Sequence, residues 1–114
     1  MGIYLSKPNT EKQSGKGENA KVSFGYSSMQ GWRMHMEDAH IANGQIADNI
    51  SIFAVFDGHG GAEVAKFCAD NFIPNLLKNE NFKKGDYVTA LRENFLAMDE
   101  ILQSDNGQSL LKKY

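Results

Sequence analysis

The chain has one cysteine, two prolines and one tryptophan in 114 residues, and it contains no long apolar run. A single cysteine excludes an intrachain disulfide and any thiolate zinc site. Cys68 falls on the apolar side of a predicted helix, so it reads as a core thiol. A reducing, intracellular compartment agrees with that usage. No apolar stretch approaches the length that spans a bilayer, and the N-terminus lacks the apolar core of a secretory signal. The formal net charge is only −2, with no stripe of Lys and Arg, which argues against a nucleic-acid partner. A hydrophobic content of 41% and a charged content of 23% are those of an ordinary globular chain. At this length the chain is one small domain at most, or part of a larger one.

Residues 1–20 are rich in Lys, Glu, Asn, Gly and Ser, and they read as a flexible arm. Residues 21–114 carry the folded pattern. Val22, Phe24 and Tyr26 alternate with Ser23, Gly25 and Ser27, the period of a half-buried strand. A turn around Gly31 is expected within Met29–Glu37. A second strand runs from Asp38 to Ile46, ending in the turn Ala47-Asp48-Asn49. Ile50–Phe56 is almost wholly apolar and suits a strand buried on both faces. It stops at Asp57-Gly58-His59-Gly60-Gly61, where three glycines in five residues demand a sharp turn or a close approach.

Helical spacing follows in Ala65, Cys68, Ala69, Phe72, Ile73 and Leu76, with Pro74 expected to kink or end the helix near Ile73. A second helix is expected from an Asp86 cap, with Tyr87, Leu91, Phe95, Met98 and Leu102 on its buried face. The remainder, 105–114, is polar. Two amphipathic helices and three strands lack enough apolar surface to cover one another, so a further layer is expected outside this chain.

Several side chains could carry chemistry. Asp57 stands where a strand ends and a glycine loop opens, exposing its carboxylate and the Gly58 carbonyl. These are the oxygen donors that Mg²⁺ or Mn²⁺ prefers, although Asp-Gly is also a common turn pair. Glu37-Asp38 begins an extended segment, where successive side chains point to opposite faces. One of the two could bind an ion while the other holds water, or both could be a solvated surface pair. Arg33 could be their salt-bridge partner, or it could grip a phosphate through two parallel hydrogen bonds. His59 could be a proton donor, a metal ligand or a loop histidine. A zinc site on His35, His40 and His59 lacks the helical spacing that such sites use.

Two strings taken together resemble a known family. Gly31-Trp32-Arg33 followed by Met36-Glu37-Asp38-Ala39-His40 is similar to the first signature of the PP2C (PPM-type) protein phosphatases. Phe53-Ala54-Val55-Phe56-Asp57-Gly58-His59-Gly60-Gly61 is similar to the second. They occur in family order, and the resemblance covers roughly Val22 to Leu102. It implies an α+β fold, the N-terminal part of a PP2C-like α/β sandwich with strands followed by two antiparallel helices, incomplete in this chain. The implied activity is hydrolysis of phosphoserine and phosphothreonine in proteins, using two Mg²⁺ or Mn²⁺ ions.

The resemblance also implies roles. Asp57 would bridge the ions, the Gly58 carbonyl would reach one of them, and Glu37 would bind the second, with Asp38 assisting through water. Arg33 would hold the phosphate and His59 would protonate the leaving oxygen. Family members are more than twice this length and bring further metal-binding aspartates from their later half. The chain is therefore expected to be a fragment or truncated product, weakly active alone, of a monomeric full-length enzyme. The alternative is a catalytically incomplete module serving as a regulator or decoy.

Met1-Gly2-Ile3-Tyr4-Leu5-Ser6 fits the pattern for myristoylation of Gly2. One acyl chain supports only weak, reversible membrane association, so the expected location is cytoplasmic with peripheral membrane contact at most.

Overall fold

A computed structural model describes residues 3–114. The Gly2 lipidation candidate lies outside the described residues. Four strands precede four helices: β1 (Tyr4–Glu18), β2 (Ser23–Arg33), β3 (Asp38–Ala47) and β4 (Ile50–Asp57), then α1 (Glu63–Leu77), α2 (Glu80–Lys83), α3 (Tyr87–Gln103) and α4 (Asp105–Leu111). The strands form two antiparallel pairs, β1 with β2 and β3 with β4. This mixed α+β order is consistent with the N-terminal part of the expected sandwich.

The first of the two pairs corrects the reading of 1–20 as a flexible arm. Residues 4–18 form a strand although they contain almost nothing apolar. Their order comes from pairing with β2 rather than from their own hydrophobicity. Gly15 and Gly17 lie opposite Tyr26 and Phe24, whose rings occupy the space that β-carbons at the two glycines would take. Ser14 and Ser27 share a hydroxyl hydrogen bond of 2.8 Å across the ladder. The Asn19 side chain builds the turn by accepting from the Lys21 and Val22 amides, and it donates to the Gly44 carbonyl of β3. That last bond ties one hairpin to the other.

The β3–β4 hairpin turns at Asp48-Asn49, where Asn49 adopts φ 61°, a conformation asparagine tolerates better than most residues. Ile41, Ile52, Ala54 and Phe56 pack with α1, and the Phe56 and Phe72 rings lie 5.8 Å apart. The opposite face carries Phe53 and Val55, which are 52% and 74% exposed. The expectation that β4 is buried on both faces therefore fails in this chain. Phe24 and Tyr26 of β2 reach over that face to meet Phe53 and His40, at 5.1 Å and 4.6 Å between ring centres. A cleft of about 510 Å³ remains between the hairpins.

Helix α1 runs through Pro74 to Leu77 with no break near Ile73, another departure from expectation. Proline removes one helical donor, and α3 holds the same turn from outside. Asn94 of α3 donates to the Phe72 carbonyl at 3.0 Å and accepts from Asn75 at 2.6 Å. It is 1% exposed and fully paired. The buried seam of α3 is Ala90, Asn94 and Met98, displaced from the expected one. Of the five residues expected on that face only Met98 is buried, while Tyr87, Leu91 and Phe95 are exposed. A polar side chain at the centre of the seam hides it from hydrophobic periodicity.

Asp86 caps α3 as expected, accepting from the Thr89 amide. The polar tail forms α4, and Tyr114 closes over Phe67 while its hydroxyl donates to Asp70 at 2.7 Å. Phe67 is thereby 2% exposed, although it lay off the expected stripe. Burial pushes the Cys68 thiol up, away from the thiolate form. No helix among the described residues is long and apolar enough to cross a membrane.

Replacing Asn94 with Ala leaves the Asn75 amide without its partner and opens a small void. The expected cost is about 1–3 kcal/mol, read as a lowered midpoint in chemical denaturation.

Candidate active site

Three backbone features bring the polar residues together. The β3–β4 register sets Asp38 directly opposite Asp57 at the open end of the hairpin. Residues opposed in this way share one face, with β-carbons about 5 Å apart. Beyond Asp57 the chain enters the loop Gly58–Gly61, in which Gly60 and Gly61 take φ values of 71° and 129°. These conformations suit glycine and strain other residues.

Glu37 fastens that loop at two points. Its carbonyl accepts from the Gly58 amide at 3.1 Å, and its carboxylate Oε2 accepts from the Gly61 amide at 2.5 Å. Gly58 is obligatory here, because a β-carbon would collide with the Glu37 carbonyl oxygen. Glu37 and Asp38 thus diverge, one toward the loop and the other toward Asp57.

The third feature is Gly31 in β2, with φ 67°. It interrupts the pleat near irregularities in the β1–β2 register and redirects the end of β2. Arg33 then lines a pocket of about 150 Å³ together with Glu37, Asp38, Asp57 and Gly58. Arg33 forms no ion pair among the described residues, so the salt-bridge alternative for its guanidinium is not what the structure contains. His59 stands outside the pocket lining, 84% exposed, with Nδ1 3.2 Å from the Asp57 carbonyl and 3.7 Å from its carboxylate. A carbonyl can only accept, so that bond puts the ring proton on Nδ1 and leaves Nε2 turned to other partners.

The electrostatic balance is lopsided. Asp38 and Asp57 oppose one another as like charges, an arrangement that destabilises a strand pair. The donors at the pocket are carboxylate and carbonyl oxygens, the kind a hard divalent cation takes. Their number is short, however. Among the described residues no group of three or more His, Cys, Asp or Glu side chains is placed to hold one ion. The residues fit such a cation in kind and supply part of its shell. The three histidines are likewise not gathered, since His35 lines the polar pocket while His40 stacks on Tyr26.

Sequence reasoning missed Gln30, Met29 and Met36 as pocket-lining residues. Gln30 precedes the Gly-Trp-Arg string directly, and its place beside Gly31 was the available sign.

The Gly58 approach gives a direct test. Gly58→Ala forces the loop away from Glu37, and the expected destabilisation is about 1–3 kcal/mol, measured by thermal or chemical unfolding. Gly60→Ala meets open space and strains only the backbone, so its cost should be smaller.

Comparison with known proteins identifies the family. The family model described as protein phosphatase 2C matches residues 22–113. "Probable protein phosphatase 2C 3" of Paramecium tetraurelia is 52% identical over 114 residues, all of this chain and 38% of the relative. "Protein phosphatase 2C 1" of the same organism is 50% identical over the same share of each. "Probable protein phosphatase 2C 21" of Arabidopsis thaliana is 53% identical over 107 residues, 94% of this chain and 30% of the relative. The chain thus spans between 30% and 38% of the length of these three relatives. A family model matched from β2 through the helices, and relatives about half identical over 94–100% of the chain, make it a member of the protein phosphatase 2C family.

Proposed function

We propose that this chain provides the first part of the active site of a metal-dependent phosphatase acting on phosphoserine and phosphothreonine in proteins. The observation that carries the reading is the pocket that Arg33, Glu37, Asp38, Asp57 and Gly58 line together. Family membership supports the same chemistry.

Each residue has work suited to its surroundings. Arg33, unpaired with any carboxylate among the described residues, offers a planar fork of donors to a phosphate. Asp57 and Asp38 present adjacent negative charge that a cation would relieve, and Mg²⁺ or Mn²⁺ is the cation class suited to their oxygens. The Gly58 carbonyl and the free oxygen of Glu37 add donors of the same kind. Two such ions, when bound, would supply positive charge to acidify a water and to offset charge on the phosphoryl group. His59, held through Nδ1 and exposed at the rim, donates from Nε2 to the departing seryl or threonyl oxygen when the ring is doubly protonated. A proton donor of this type contributes roughly 10²–10⁴-fold.

Asp57→Asn in a protein carrying the whole domain removes the charge while keeping the shape. Since losing even a supporting partner of a metal ligand costs about 10–100-fold, the expected loss of metal-dependent phosphopeptide hydrolysis is about 100-fold or more. The fold should be intact by circular dichroism. Retention of most activity would refute the metal role of Asp57.

The second reading, a non-catalytic module acting as a regulator or decoy, is favoured by the shortage of converging ligands. Residues 1–114 expressed alone decide between the two for this polypeptide. Phe53, Val55, Val88, Phe95 and Leu96 are each more than half exposed, so aggregation is expected. Response to Mg²⁺ or Mn²⁺ should be weak and turnover slight, as read by light scattering and a phosphopeptide assay. Robust turnover, abolished by Asp57→Asn, would mean that the site is sufficient as it stands.

A further inference from the structure

We propose that Gln30 is a positioning residue for Arg33, acting through the backbone at the end of β2 between them; this rests on the reading of Arg33 as the phosphate grip. The Gln30 side-chain amide Nε2 donates to the Arg33 carbonyl at 2.7 Å. In a regular strand residues 30 and 33 would point to opposite faces. Here both line the same pocket, because Gly31 at φ 67° breaks the alternation between them.

The last residues of β2 pass through a positive-φ glycine and an irregular register with β1. No atom lies within 4 Å of the place a β-carbon at Gly31 would occupy, and Trp32 is 54% exposed. Gly31 and Arg33 stand opposite Asn9 and Tyr4 in the β1–β2 ladder, but the register shifts between those two pairs. Gln30 adds a restraint across this irregular stretch of the ladder. It is half-buried, and its bond closes a ring from its own side chain across Gly31 and Trp32 to the Arg33 carbonyl. No ion pair among the described residues orients the guanidinium from its other end. The direction of Arg33 therefore depends on where its backbone is held, and the Gln30 amide holds it together with the pairing to Tyr4. Loss of the bond spreads Arg33 over more orientations, which weakens phosphate capture and leaves the carboxylates of Asp38 and Asp57 where the β3–β4 register sets them.

The test is a double-mutant cycle in a protein carrying the whole domain. Gln30→Met keeps the side-chain length and loses the donor. It should raise KM for a phosphopeptide, and Kd for inorganic phosphate by calorimetry on the Mn²⁺-loaded protein, by about 3- to 10-fold, the range of one net hydrogen bond. The Mn²⁺ titration midpoint and kcat should change little. Arg33→Ala should raise KM further, and adding Gln30→Met to it should do no additional harm. If Gln30→Met proves unstable, Gln30→Asn, whose amide is one methylene too short to reach, carries the same expectation. Unchanged KM and phosphate affinity in these variants would overturn the role of Gln30, as would losses that simply add to those of Arg33→Ala. If Arg33→Ala alone leaves KM and phosphate binding unaltered, the phosphate role of Arg33 falls, and the positioning role with it.

Discussion

The loop after β4 is held by Glu37, and the geometry of the site depends on that hold. Its carbonyl takes the Gly58 amide and its carboxylate takes the Gly61 amide, so both ends of a glycine-rich turn are fastened to one residue. The approach is close enough to forbid any side chain at Gly58. Because Glu37 immediately precedes β3, the same hold anchors the open end of the hairpin where Asp38 meets Asp57. Two like charges are thus kept side by side by backbone bonds, at an electrostatic cost that a bound cation would offset.

The helical layer serves this arrangement from behind. Ile41, Ala54 and Phe56 of the hairpin lie on α1, and α1 is in turn bound to α3 through the Asn94 bonds. A buried amide with a partner at both its nitrogen and its oxygen is directional in a way that an apolar side chain is not. It sets α3 against the turn of α1 that contains Pro74, a turn short of one backbone donor. The outward face of the hairpin has no comparable cover among the described residues; Phe24 and Tyr26 reach across part of it.

Much of this was legible in residue order. The β3 and β4 strands, the turn at Asp48-Asn49, the Asp86 cap and the two long helices all follow from period, composition and capping chemistry. Other features were not legible, for identifiable reasons. β1 has the composition of a disordered arm and is ordered by its partner strand, with aromatic rings of β2 laid over its glycines. The α3 seam centres on Asn94, which a search for apolar spacing passes over. Phe67 is buried by a tail whose polarity gives no sign of packing.

The sequence by itself determined the chemical inventory: an arginine, paired carboxylates and a histidine flanking a glycine loop, in an order and spacing that resemble one phosphatase family. It determined these because side-chain chemistry and local turn preferences are properties of short segments. Tertiary structure alone decided that Arg33, from a different hairpin, shares a pocket with Asp57, that Glu37 divides its two acceptors between Gly58 and Gly61, and that Gln30 bonds to the Arg33 carbonyl. Those outcomes depend on hairpin register and on a positive φ at Gly31. Pairing between distant segments sets the first, and the path of the whole chain around that glycine sets the second.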